Sequence, residues 1–119
     1  MSDYIYQTDV DQYELLKPLL EASYKEMQEL SKKKPESPLN VYKVKMINRI
    51  LEPIKELLKE QSVYPFLDTL DQDTLPSNSD VVLIQSQYIQ ALEMYYRKYN
   101  SGYPNYCWSI QPTPRAKKS

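Results

Sequence analysis

The sequence predicts an all-α fold: three long helices in a bundle, a short helix in the second connection and a C-terminal aromatic arm. Three observations carry this. Residues 9–33, 40–60 and 79–99 repeat apolar side chains at helical spacing. Prolines and capping residues bound those stretches. The length, 119 residues, suits one domain able to bury a single core. Residues 1–111 are read as that domain and 112–119 as a basic tail.

In the first stretch, Thr8 followed by Asp11 resembles a capping box with Asp in place of Glu. Asp9, Asp11 and Glu14 suit the positive end of a helix dipole, and Lys32, Lys33 and Lys34 the negative end. Tyr13, Leu16, Leu20, Met27 and Leu30 form the seam. Leu19 and Tyr24 flank it, and Ser23 interrupts it. Pro18 forfeits a backbone bond, so the helix either begins near Leu16 or kinks there.

The second stretch follows a break at residues 35–39, with Asn40 as its N-cap. Val44, Ile47, Leu51, Ile54 and Leu58 repeat at 3-4-3-4 spacing, with Ile50 and Leu57 beside them. Pro53 is expected to bend this helix. About six residues join the first two helices, so they should run antiparallel.

In the second connection, Pro65 can start a short helix over residues 65–70, with Phe66, Leu67 and Leu70 turned inward. Ser77 or Ser79 can cap the third helix, and Gly102 suits its C-terminal cap. Its seam is Val81, Ile84, Tyr88, Ala91 and Tyr95, widened by Leu92 and Tyr99. A second line, Val82, Ile89 and Tyr96, lies about 100° further round the axis. One core face does not need both lines, so this helix is either central or carries an interface.

Composition narrows the function. With no histidine, one cysteine and one glycine, the chain lacks an imidazole proton shuttle, a cysteine pair for zinc or a disulfide, and a glycine-rich phosphate loop. No catalytic, metal-binding or cofactor-binding residue is assigned, and no cofactor is expected. Asp68, Asp71 and Asp73 lack the glycine and spacing of a calcium loop, and read as a solvated turn. Glu52, Glu56 and Glu60 stand one turn apart beside Lys55 and Lys59, which points to surface ion pairs and not to acid–base catalysis. Cys107, between Tyr106 and Trp108, reads as a packed apolar side chain.

Net charge is −1, yet Arg115, Lys117 and Lys118 concentrate positive charge at the C-terminal tip. Tyr42, Lys45 and Arg49 lie on one strip of the second helix. With that tip they could meet phosphates and stack on a base. Glu52 and Glu56 continue the strip with opposite charge, so weak or absent nucleic-acid binding is expected.

Twelve tyrosines against one phenylalanine suit half-buried edges and contact surfaces. Candidate interface residues are Val82, Ile89 and Tyr96 on the third helix, with Tyr103, Tyr106 and Trp108 in the arm. The arm is expected to fold back over the helix line; the alternative is an arm that docks into a partner. No apolar run reaches membrane-helix length, and neither an export signal nor a cysteine pair is seen, so a cytoplasmic protein is expected. The reading is a non-enzymatic interaction module: an adaptor, inhibitor or small assembly subunit. Its partner is a protein, with a homodimer through the third helix as the simplest case. The alternative is a nucleic-acid accessory protein.

Overall fold

A computed structural model describes residues 5–100 and 108–110. Three α-helices follow in order: α1 (Gln7–Lys33), α2 (Val41–Leu57) and α3 (Asn78–Tyr99). A single 3-10 turn, Tyr64–Phe66, lies between α2 and α3. The described part is 70% helical, and its β pairing is confined to isolated bridges.

Helix α1 starts two residues before the expected point. The backbone N–H of Tyr6 donates to Asp9 Oδ2 at 2.9 Å, so the capping carboxylate is Asp9 and not Asp11. The helix continues through Pro18 to Lys33 without beginning afresh at Leu16. Pro18 and Glu14 are both exposed, so the carbonyl that Pro18 leaves unbonded lies on the solvent side. Asn40 caps α2 by accepting from Lys43 N–H at 2.8 Å, and Ser77 caps α3 by accepting from Asp80 N–H at 3.2 Å.

The core lies where the apolar seams meet. Leu20 of α1, Val44, Leu51 and Ile54 of α2, and Val81 and Tyr88 of α3 are wholly buried. Helix α1 runs antiparallel to α3: Tyr13 stacks near Tyr95, and ten residues on, Ser23 meets Gln85. It packs along both other helices, whereas α2 and α3 barely touch.

The connection between α2 and α3 fills the wedge left between them. Leu67 and Leu70 are buried there as expected, but Phe66 is 72% exposed, contrary to the inward position expected of it. The short 3-10 turn explains the difference. At three residues per turn it does not bring residues 66, 67 and 70 onto one face, as an α-helix over 65–70 would.

Buried polar side chains hold this connection. Asn48 of α2 donates to Leu70 O and accepts from Leu70 N–H, both at 2.9 Å. Tyr88 Oη donates to Asp68 O at 3.0 Å, and Gln61 Nε2 donates to Tyr99 Oη at 3.2 Å. The first connection is laced to the start of α3 in the same way. Asn78 Nδ2 donates to Lys34 O at 2.8 Å, satisfying a carbonyl that the end of α1 leaves open. Leu39 N–H donates to Pro76 O at 2.8 Å, and Asn78 N–H to Ser37 O at 2.9 Å.

Leu75, just before this junction, has φ 46, the left-handed region that side chains with a Cβ avoid. It is half-buried against the core, so packing holds the backbone there.

Candidate interaction surfaces

Trp108 closes an aromatic cluster over α1 and α3. Its ring centroid lies 4.9 Å from Tyr13, 5.3 Å from Tyr96 and 6.4 Å from Tyr95. The contacts to Tyr13 and Tyr96 are edge-on, the geometry that ring quadrupoles favour. Tyr99 joins through Tyr95 at 5.0 Å. The ammonium of Lys17 sits 5.7 Å from the Tyr13 ring centroid and 6.0 Å from that of Tyr96.

Burial raises the Tyr13 phenol above its usual range, with the Lys17 charge pulling the other way. Burial pushes Tyr95 up further, with Asp9 adding to the effect. These phenols stay protonated and uncharged at neutral pH.

Of the arm, residues 108–110 lie against the body, with Trp108 against Tyr96 of the expected line and against Tyr13. Tyr13 of α1 supplies the shortest of its ring contacts. The line Val82, Ile89 and Tyr96 is half-buried against the core, and Trp108 is half-buried with it. Tyr103 and Tyr106 lie outside the described residues, as do Cys107, the proposed cap Gly102 and the 112–119 tail.

Tyr42, Lys45 and Arg49 are all exposed on α2, Tyr42 at 70%. Helical spacing of three and four residues keeps them on one outward strip. No ion pair engages Lys45 or Arg49 among the described residues. Further along, Glu56 pairs with Lys59 at 2.8 Å, the surface ion pairing expected of this stretch. Lys55 instead lies 5.4 Å from the ring centroid of Tyr64.

A groove of about 520 Å³ runs between α2, the second connection and the start of α3. Lys55, Asp68, Asp71, Asp80, Leu83 and Ile84 are among its lining residues. Asp71 Oδ1 accepts from Asp73 N–H at 2.8 Å, a local turn bond that matches the solvated-turn reading. Among the described residues, no three side chains of metal-binding type stand close enough to hold an ion.

No known protein family, characterised protein or solved structure matches this chain. The side chains themselves are therefore the evidence on function.

Two further helix edges carry exposed apolar side chains that the sequence did not single out. Leu15 and Leu19, one turn apart on α1, are 57% and 47% exposed. On α2, Met46, Ile50, Pro53 and Leu57 follow one another at 4-3-4 spacing along one flank. Met46 is 46% exposed, and the other three are half-buried. Leu19, Ile50 and Leu57 were visible in sequence as neighbours of the buried seams. Periodicity alone does not say how far a seam's edge is covered, so the exposed members could not be picked out.

Proposed function

We propose that this chain is a non-enzymatic, cytoplasmic protein-interaction module, an adaptor or small assembly subunit that meets its partner through helix faces. One observation carries the reading. Large aliphatic side chains stand in helical register beside the buried seams of α1 and α2, yet remain about half exposed: Leu15, Leu19 and Met46. Isolated exposed apolar residues are ordinary, whereas a patterned set suits a contact surface. The simplest partner is a second copy of the chain. Self-association through Val82, Ile89 and Tyr96 now has less free surface to use, because those residues are partly covered by their own chain.

Light scattering after size exclusion, on the full chain and on Leu15→Glu/Leu19→Glu, tests this. A dimer that the double substitution turns into monomer supports self-association through this face. A monomer whose host partner is captured by the full chain but lost by the variant supports a heterologous partner. A monomer whose partner capture is absent, or indifferent to the substitution, overturns the reading.

A second reading rests on Tyr42, Lys45 and Arg49, exposed together without ion pairing among the described residues. They could meet phosphates, with Tyr42 stacking on a base. Titration into labelled DNA and RNA at about 0.1 M salt decides it. Weak, salt-insensitive binding keeps the protein-interaction reading first.

A further inference from the structure

The segment Trp108–Ser109–Ile110 is held from two sides by parts of the chain far apart in sequence. Ser109 N–H donates to Tyr99 O at 2.7 Å, and Ser109 O accepts from Ile5 N–H at 3.0 Å. Trp108 pairs antiparallel with Asn100, and Ile110 pairs parallel with Ile5. Ser109 therefore joins the end of α3 to the residue before the cap of α1. Ile5 is itself 6% exposed and packs in the core cluster, while Ile110 is 39% exposed. Among the described residues, every side chain below 2% exposure belongs to a helix or to the second connection, none to this segment.

We infer that Ile5 and segment Trp108–Ile110 form one latch over the Tyr13–Tyr95–Tyr96 cluster, in which the Ile5–Ser109 bond holds Trp108 in place. The latch opens as a unit while the three helices stay folded. The physical reason lies in how the contacts are distributed. Among the described residues, segment 108–110 is secured by two backbone hydrogen bonds at Ser109 and by the half-buried Trp108 ring, whereas the helices share a continuous buried core. Segments with few buried contacts open locally at less free energy than the core. Because Ile5 and Ser109 share a bond, loss of either end weakens the hold on the other, and that coupling is reciprocal. Opened, the latch frees Trp108 together with the faces of Tyr13, Tyr95 and Tyr96 that it covers. These are side-chain types enriched at binding hot spots.

The chain has one tryptophan, so its fluorescence reports on Trp108 alone. Two variants break the latch from opposite sides. Deletion of residues 1–5 removes the Ile5 donor, and Ser109→Pro removes the N–H that bonds Tyr99. Each should shift Trp108 emission to the red and raise iodide quenching severalfold, with the far-UV helical signal retained. In the reverse direction, Trp108→Ala should speed hydrogen exchange at the Ile5 amide severalfold over the same amide in the parent chain. Unchanged emission after deletion of residues 1–5 overturns the coupling. Loss of the helical signal in both variants overturns local opening, because the ends would then belong to the cooperative core. Unchanged exchange at Ile5 overturns the reciprocity. These readouts use the isolated protein, so they stand or fall separately from the interaction reading.

Discussion

Asn48 shows how one side chain can fix a long connection. Its amide meets both backbone groups of Leu70, and both residues are buried. Truncation to alanine leaves a donor and an acceptor without partners in a site that water does not readily reach. Each such group costs about 1–3 kcal/mol. Asn48→Ala should therefore lower stability by about 2–4 kcal/mol, measured as a shift in the urea midpoint with an unchanged slope. A loss under 0.5 kcal/mol would mean that the connection readily re-forms its bonds with water.

Tyr88 and Tyr95 set a pH limit at the same scale. Burial raises both phenols well above their ordinary value of 10.0, and the nearby charges of Asp68 and Glu52 for Tyr88 and of Asp9 for Tyr95 add to it. The folded state keeps these protons after the unfolded chain has begun to release them. Their contribution is therefore complete below about pH 10 and declines as pH rises toward the raised folded values. Urea midpoints should fall progressively as pH rises above about 10. Absorbance at 295 nm should show some tyrosines ionising only as helix content is lost. Ionisation of all tyrosines in a still-folded protein would contradict this.

Among the elements, the contact between α1 and α3 holds a pair that the seam pattern does not explain. Ser23 interrupts the apolar line of α1, and Gln85 is wholly buried on α3. Gln85 Nε2 donates to Ser23 Oγ at 2.7 Å, while Gln85 Oε1 has no hydrogen-bond partner among the described residues. Ser23→Ala alone should cost about 1–3 kcal/mol, because it strands the amide. Gln85→Met together with Ser23→Ala removes both polar groups and should restore or exceed the parent stability. A double-mutant cycle read by thermal melting measures the coupling. Additive losses would show that the hydrogen bond contributes little. Helix ends, by contrast, were largely legible. Asn40 and Ser77 were named as caps and act as caps, since capping depends on residues three apart. Asp9 in place of Asp11 is the same chemistry displaced by two residues.

At the scale of the whole molecule, α1 is the central element, although the doubled apolar lines had pointed to α3. Packing on both α2 and α3 lets α1 bury one broad face, and the second connection completes the wedge. The connections are stitched to elements far along the chain. Asn78 closes the end of α1, and Gln61 reaches Tyr99. Four of the twelve tyrosines, Tyr13, Tyr95, Tyr96 and Tyr99, gather with Trp108 in one cluster.

The sequence by itself determined that this chain makes three helices, where they lie to within a few residues, and which seam of each is buried. Periodicity and capping act within a few residues of chain, so they are written locally. Leu67, Leu70 and Trp108 were legible as apolar side chains in need of cover, but Phe66 was not legible as an exposed one. Only the tertiary structure decided which edges stay open. It alone set Leu15, Leu19 and Met46 half exposed and gave Trp108 its place against Tyr13. It also paired Asn48 with Leu70 and Ser23 with Gln85. Those bonds join residues 22 and 62 positions apart, and no local pattern encodes a partner at that distance. The candidate surface was the least legible part, because exposure at the edge of a seam depends on what the neighbouring helix covers.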